Sequence, residues 1–323
     1  MTVHDLSTAR QIRMLRTALG PVIAAALEDP DVVEVLLNPD GSLWTDRLSC
    51  GRTPTGEQIS PADAERIIRL IATHVGVEAS RKAPIISAEL PETGERFEGV
   101  LPPVTPTPAF AIRKRASLVY TLGRYVTDGI MDAGEAEALR QAVRARRNIV
   151  IAGPTSSGKT TLANALLEEI AATRDRVIIL EDTRELQSLS DDQVPLRTKP
   201  GVASMTDLVR STLRLRPDRI VIGEVRGPEA LDLLKAWGTG HPGGIATLHA
   251  GSAIGALHRL EQLIAEGVVN VPRTLIAEAV NIIVLIEGRG QARRVRELVR
   301  VTGLTAAGYQ LDPLIPLKDG DTS

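Results

Sequence analysis

Apolar positions recur along the chain with different periods, and the change of period divides it. Near the start, Ile12, Leu15, Leu19, Ile23 and Ala26 fall on one helical face. This predicts an amphipathic helix, broken at Gly20-Pro21 because proline cannot continue the backbone ladder. The stretch imitates a signal peptide, with Arg10, Arg13 and Arg16 ahead of an apolar run, but a signal core does not need one-sided spacing. Residues 31–37 and 42–48 read as two strands, joined by the turn residues Asn38-Pro39-Asp40-Gly41. Ser60 as cap and Pro61 at the first position open a helix whose stripe is Ile67, Ile68, Ile71 and Val75. Residues 85–90, 94–101 and 109–115 read as further strands, with a proline-rich loop over 102–108. Strands and helices do not strictly alternate here, so this half reads as α+β.

After residue 148 the pattern changes to strict alternation. Strands are predicted at 148–152, 176–182, 218–224 and 244–249. Helices are predicted at 161–170, 205–216 and 228–237, and another at 133–147 leads into the first strand. That alternation implies a parallel sheet covered by helices. Segments 280–286 and 295–301 close the sheet as antiparallel edge strands. The expected organisation is an N-terminal α+β domain at 1–116, a linker at 117–132 where the pattern loosens, and an α/β domain at 133–323 ending in a polar tail over 318–323.

Composition narrows the function classes. The length of 323 residues suits two domains. Aromatic residues make up 2% of the chain, so Leu, Ile, Val and Ala must fill the cores. The net charge of −2 gives no electrostatic footprint for nucleic acid, and stable nucleic-acid binding is not expected. Cys50 is the single cysteine, which excludes an internal disulfide and a multi-cysteine zinc module and suits a reducing compartment. No apolar run is long enough to span a bilayer.

The candidate chemistry sits where strand 148–152 meets helix 161–170. Gly153-Pro154-Thr155-Ser156-Ser157-Gly158-Lys159-Thr160 matches G-x-x-x-x-G-K-[ST], followed by Thr161. Glycines let the loop turn its N–H groups toward phosphate oxygens, and the new helix adds its positive end. Lys159 is expected to reach the β- and γ-phosphates of ATP, and the Thr160 hydroxyl to hold Mg²⁺. A glycine-rich turn that binds nothing would not require motif, strand and helix together. Glu224 ends an apolar strand beside this loop, placed to reach Mg²⁺ or polarise the attacking water, though Gly223 stands where an Asp is usual. Glu181 and Asp182 end the neighbouring strand, and Glu181 joins Thr160 and Glu224 in the expected metal set. His249 could sense the γ-phosphate, although a lone histidine at a strand end is more often structural. Arg113, Lys114 and Arg115, with Arg96, form either a solvated strand face or a phosphate contact. Arg214, Arg216, Arg219 and Arg226 raise the same question for a subunit interface.

Three further segments carry a family resemblance. Residues 180–186 (LEDTREL) resemble an "Asp box", 216–227 (RPDRIVIGEVRG) a Walker B, and 239–250 (TGHPGGIATLHA) a "His box". With the P-loop, this order is similar to the traffic ATPases of type II and type IV secretion systems and type IV pili. Residues 35–44 and 112–114 look most like the conjugal-transfer branch. The resemblance implies a RecA-like ATPase domain and a smaller PAS-like N-terminal domain. It implies a homohexamer with nucleotide between the two domains, in the cytoplasm and peripherally associated with inner-membrane secretion or conjugation machinery. It also implies that Arg96 and Arg113 reach the phosphates, and that Lys159, Glu224 and His249 are catalytic. The activity expected is ATP hydrolysis powering pilus assembly or conjugative transfer. The alternatives are a type IV or tight-adherence pilus motor, or a nucleotide-gated switch without essential turnover. Ser156 stands where many members carry glycine, and the four-cysteine module of the type II branch is missing.

Overall fold

The structure is a computed structural model that describes residues 3–91, 93–114 and 120–314. Arg115 and the polar tail over 318–323 lie outside the described residues. The chain forms two compact units, Met1–Ser117 and Leu118–Ser323.

The first unit begins with α1 (Val3–Glu28), which is interrupted at Gly20, at φ 73° and ψ 172°, just before Pro21. Leu15, Ile23 and Ala26 are buried, as the one-sided spacing predicts. The hairpin follows as β1 (Val32–Leu37) and β2 (Ser42–Arg47). A third strand, β3 (Gly51–Gln58), pairs with β2, although its sequence is polar and carries Gly and Pro. It is the edge of the sheet, where exposed polar residues are tolerated. Helix α2 (Pro61–Val75) starts where Ser60 accepts a hydrogen bond from Asp63 N–H and stops at Gly76 in the left-handed region. Ile67, Ile68 and Ile71 are fully buried. Val75, in the predicted stripe, is exposed because the helix ends there. The unit is completed by β4 (Ile85–Glu89), β5 (Arg96–Val100) and β6 (Ala109–Arg113). The order is β3-β2-β1-β6-β5-β4, antiparallel throughout, and the core joins Val35, Leu37, Phe97, Phe110 and Ile112 to α2.

The second unit runs through α3 (Leu122–Thr127), α4 (Ala133–Arg144), β7 (Ile149–Ala152), α5 (Lys159–Ala171), β8 (Val177–Glu181), β9 (Gln193–Arg197), α6 (Met205–Thr212), β10 (Arg219–Ile222), α7 (Glu229–Gly238), β11 (Ile245–Leu248), α8 (Ala253–Ala265), α9 (Arg273–Ala279), β12 (Ile282–Glu287), β13 (Arg294–Thr305) and β14 (Gly308–Pro313). The sheet order is β14-β13-β12-β7-β11-β10-β8-β9. Alternate residues of β7 enter different cores: Ile149 and Ile151 one, Val150 and Ala152 the other. Burial on both faces explains why the central strands read as continuous apolar runs.

Three expectations are corrected here. Within the stretch predicted as a linker, Leu122 and Tyr125 of α3 are fully buried in this unit's core, and Asp132 with Glu135 closes a capping box on α4. Strand β12 is parallel to β7, and only the pairs beyond it, β12 with β13 and β13 with β14, are antiparallel. The reason lies in α8 and α9, which supply the long crossover that a parallel partner requires. Arg219 is not an interface residue. It is buried, with Nε 2.6 Å from Asp175 Oδ2, and it donates to the carbonyls of Val143 at 2.9 Å and Gly243 at 3.2 Å. Burial disfavours the Asp175 carboxylate, but Arg219, Thr173 and Arg146 outweigh that and hold its pKa below the ordinary value. No helix among the described residues is long and apolar enough to cross a membrane.

Candidate nucleotide site

The loop between β7 and α5 is shaped by contacts that leave no room for side chains. A Cβ at Gly153 would lie 2.2 Å from Ile286 O and 2.6 Å from Ser157 Oγ. Gly158 caps α5 at φ 99°, a conformation that favours glycine. Between them Pro154 and Thr155 are exposed, and Ser156 takes φ 61°, in the left-handed region that glycine adopts without strain. Ser157 is buried, and its Oγ has no hydrogen-bond partner among the described residues. Lys159 is also buried, and its Nζ donates to Gly153 O and Pro154 O, each at 2.9 Å. Thr160 and Thr161 are half-buried in the first turn of α5. This loop therefore has a buried ammonium, a helix N-terminus and an orphaned hydroxyl converging on one place.

Parallel pairing brings distant residues to that place. β11 lies beside β7, and β10 beside β11, so their carboxyl ends deliver Glu224 and His249 to the loop. Gly223 is explained by crowding, because a Cβ there would stand 3.1 Å from Glu181 Cγ. Glu224 Oε2 accepts from Arg226 Nε at 2.8 Å and also from Nη2. Its Oε1 lies 2.6 Å from His249 Nε2, and His249 Nδ1 lies 3.4 Å from Lys159 Nζ. An ammonium only donates, so Nδ1 accepts and the proton of the neutral ring sits on Nε2. Nε2 is close to Glu224 Oε1, but that oxygen is buried without a hydrogen-bond partner. Burial and the Lys159 charge lower the His249 pKa against the opposing pull of Glu224, which matches this neutral tautomer. Arg226 Nη1 continues the chain to Asp182 Oδ2 at 3.4 Å.

The carboxylate facing Thr160 is not the one predicted. Glu181 is buried and spends Oε1 on the backbone N–H groups of Glu185 at 2.8 Å and Leu186 at 2.7 Å. It holds the loop after β8 in shape. Glu185 is the residue that loop delivers, and its Oε2 accepts from Thr160 Oγ1 at 3.2 Å. Sequence reasoning missed Glu185 because an acid in an irregular segment has no periodicity to mark it. Its signal was the position inside the LEDTREL segment.

Arg96 and Arg113 lie in the first unit, directly opposite each other on β5 and β6. Glu34 of β1 is the next neighbour in register, and its Oε1 is 3.8 Å from Arg113 Nε. Two cations opposite each other repel, and one carboxylate offsets them only in part. Lys114 does not join them: it donates to Asp29 O, and burial lowers its pKa.

Comparison with known proteins gives the chain its family. The family described as type II/IV secretion system protein matches residues 64–300. Conjugal transfer protein TrbB of Rhizobium radiobacter is 49% identical over 308 residues, covering 95% of this chain and 95% of that protein. Type IV secretion system protein PtlH of Bordetella pertussis is 33% identical, covering 87% and 93%. The Legionella pneumophila ATPase DotB has a similar fold, with a TM-score of 0.62 at 19% identity, covering 85% of this chain and 78% of that one. The chain belongs to the type II/IV secretion system protein family.

Proposed function

We propose that this protein is the ATPase of a type IV secretion or conjugation apparatus, converting ATP and water to ADP and phosphate to power pilus assembly or transfer. The observation that carries the reading is the convergence of Lys159, Thr160, Glu185, Glu224 and His249 on one phosphate loop. The N–H groups of the loop and of the first turn of α5 bind the phosphates. Lys159 exchanges its two loop carbonyls for β- and γ-phosphate oxygens. Glu224 takes the proton of the attacking water as its oxygen bonds to the γ-phosphorus and the bond to the bridging oxygen of ADP breaks. Its Oε2 accepts from Arg226, while Oε1 keeps its lone pairs for that water. His249 couples Glu224 to Lys159, so a γ-phosphate that draws Lys159 away also frees Nδ1.

The residues present fit a magnesium ion. Thr160 Oγ1 and Glu185 Oε2 form a hard oxygen pair beside the loop, the donor type this ion takes. When bound, it would neutralise charge on the β- and γ-phosphates. We assign Thr160, Glu185 and Glu224 to its surroundings and give Glu181 the supporting role described above.

The wider reading is a homohexamer with a PAS-like N-terminal domain and a RecA-like ATPase domain, in the cytoplasm and peripherally attached to the inner-membrane machinery. The Arg96–Arg113 pair supports an anion-binding role for the first unit. In cells lacking the native gene, Glu224→Gln should fail to restore transfer while the wild-type chain restores it. Full restoration by Glu224→Gln would favour a nucleotide-gated switch whose turnover is incidental.

A further inference from the structure

The loop's other flank carries a cation that none of the sequence motifs contains. Strand β12 is the neighbour of β7 on the side opposite β11 and β10. It leads into a tight turn at Gly288, where φ is 79° and a Cβ would lie 2.0 Å from Ala292 O. A short 3₁₀ turn, Gly290–Ala292, follows, and Arg293 N–H donates to Gly290 O at 3.2 Å. That turn lays Arg293 against the phosphate loop. A Cβ on Gly158 would stand 2.8 Å from Arg293 Nε and 3.0 Å from its Cζ. The guanidinium thus rests on the residue that opens α5.

Its electrostatic situation is unusual for an arginine. Neighbouring Arg294 and Arg296 are both bound to Glu287 at 3.1 Å. Among the described residues no carboxylate pairs with Arg293, and its Nε is buried without a hydrogen-bond partner. The Tyr125 hydroxyl is buried and without a partner too, and its phenol feels the Arg293 charge. A full positive charge at a helix N-terminus is repelled by the helix dipole, and this one is not offset by an acid. An anion in the loop reverses the sign of that interaction. Among the described residues the acid of this flank, Glu287, is bound to Arg294 and Arg296 instead.

We infer that Arg293 is a nucleotide-binding residue that donates to the polyphosphate of the bound nucleotide from the β12 side. Glu224 and His249 approach from the β11 and β10 side, so the phosphates are held between the two flanks. The inference rests on the nucleotide-site reading above. A guanidinium also presents a planar face that could stack on a base, and the two contacts differ in what they recognise. The unsatisfied donor Nε favours the phosphate contact, since stacking leaves it unpaired.

The test is equilibrium binding of ADP and of inorganic pyrophosphate to the full chain, for wild type, Arg293→Gln, Arg293→Lys and Arg294→Gln, with Lys159→Ala as the site control. Arg293→Gln should weaken both ligands by about tenfold or more, the loss expected for a hydrogen bond to a charged group. Arg293→Lys should recover part of that loss. Arg294→Gln, which removes the same charge from a side chain already paired with Glu287, should bind both as wild type does. Unchanged binding of both ligands by Arg293→Gln, while Lys159→Ala loses them, overturns the inference and leaves the nucleotide site standing. Loss confined to ADP, with pyrophosphate unaffected, overturns it in favour of a contact with the nucleoside. Absence of ADP binding by wild type would defeat the underlying reading instead. Arg293→Lys also guards against misfolding: it keeps the charge, so if Gln disrupts the turn, a folded Lys variant that binds both ligands no better than Lys159→Ala still contradicts a phosphate contact carried by that charge.

Discussion

Glu185 and Glu181 stand four positions apart, and their carboxylates do different work. Glu181 accepts from two backbone N–H groups and shapes a loop, whereas Glu185 meets the Thr160 hydroxyl. Removing the Glu185 charge should leave the loop intact but weaken the metal's surroundings. Glu185→Gln is therefore expected to raise the Mg²⁺ concentration for half-maximal ATPase by about tenfold, the usual scale for a residue supporting a metal site. Metal titration of steady-state turnover checks this, with metal-free nucleotide affinity unchanged. At the same scale, the sequence showed the P-loop residues at once because their types are dictated by backbone approach and charge. It could not tell Glu181 from Glu185, because that distinction depends on which acid the folded loop turns inward.

Among the elements, Arg219 is the clearest tie. It begins β10 and joins it to Asp175, to the end of α4 through Val143 and to the segment before β11 through Gly243. Arg219→Met keeps much of the volume but leaves Asp175 buried without its main partner. Breaking such a pair typically costs about 3 kcal/mol. Denaturant unfolding of both proteins at neutral pH should show that loss. Because the folded Asp175 pKa is depressed, its contribution is complete above the unfolded value of about 3.9 and is lost as pH falls through the lower folded value. The difference between the two proteins should therefore shrink below about pH 4. Elements were legible in proportion to burial. β7, β8, β10 and β11 are buried along their whole length and read directly as apolar runs. Edge strands β3 and β9 expose half or more of their residues, and each carries a proline that an edge tolerates. Neither was among the predicted strands. The parallel sense of β12 was hidden with α8 and α9, since the sense of a strand depends on the length of its crossover.

For the whole molecule, the chain forms two units, each with its own core. The stretch at the boundary was harder to read, because α3 is short and its pattern is carried by Leu122 and Tyr125 alone. The proposed homohexamer predicts that mass in solution, followed by light scattering, rises with Mg²⁺ and a non-hydrolysable ATP analogue. Arg113→Ala should weaken that response if the paired arginines of β5 and β6 serve an anion. A monomer under every condition would remove the ring from the account and leave the nucleotide site in place.

Glu224, held between Arg226 and His249 beside the phosphate loop, is the residue proposed to turn a bound nucleotide over. The most direct measurement is phosphate release from ATP by the purified chain with Mg²⁺, alone and with the membrane fraction of its apparatus, compared with Glu224→Gln. The wild type should turn ATP over, and the variant should lose about a hundredfold or more of that rate with ATP affinity retained. Equal phosphate release by the two proteins, or none from the wild type under either condition, would contradict it.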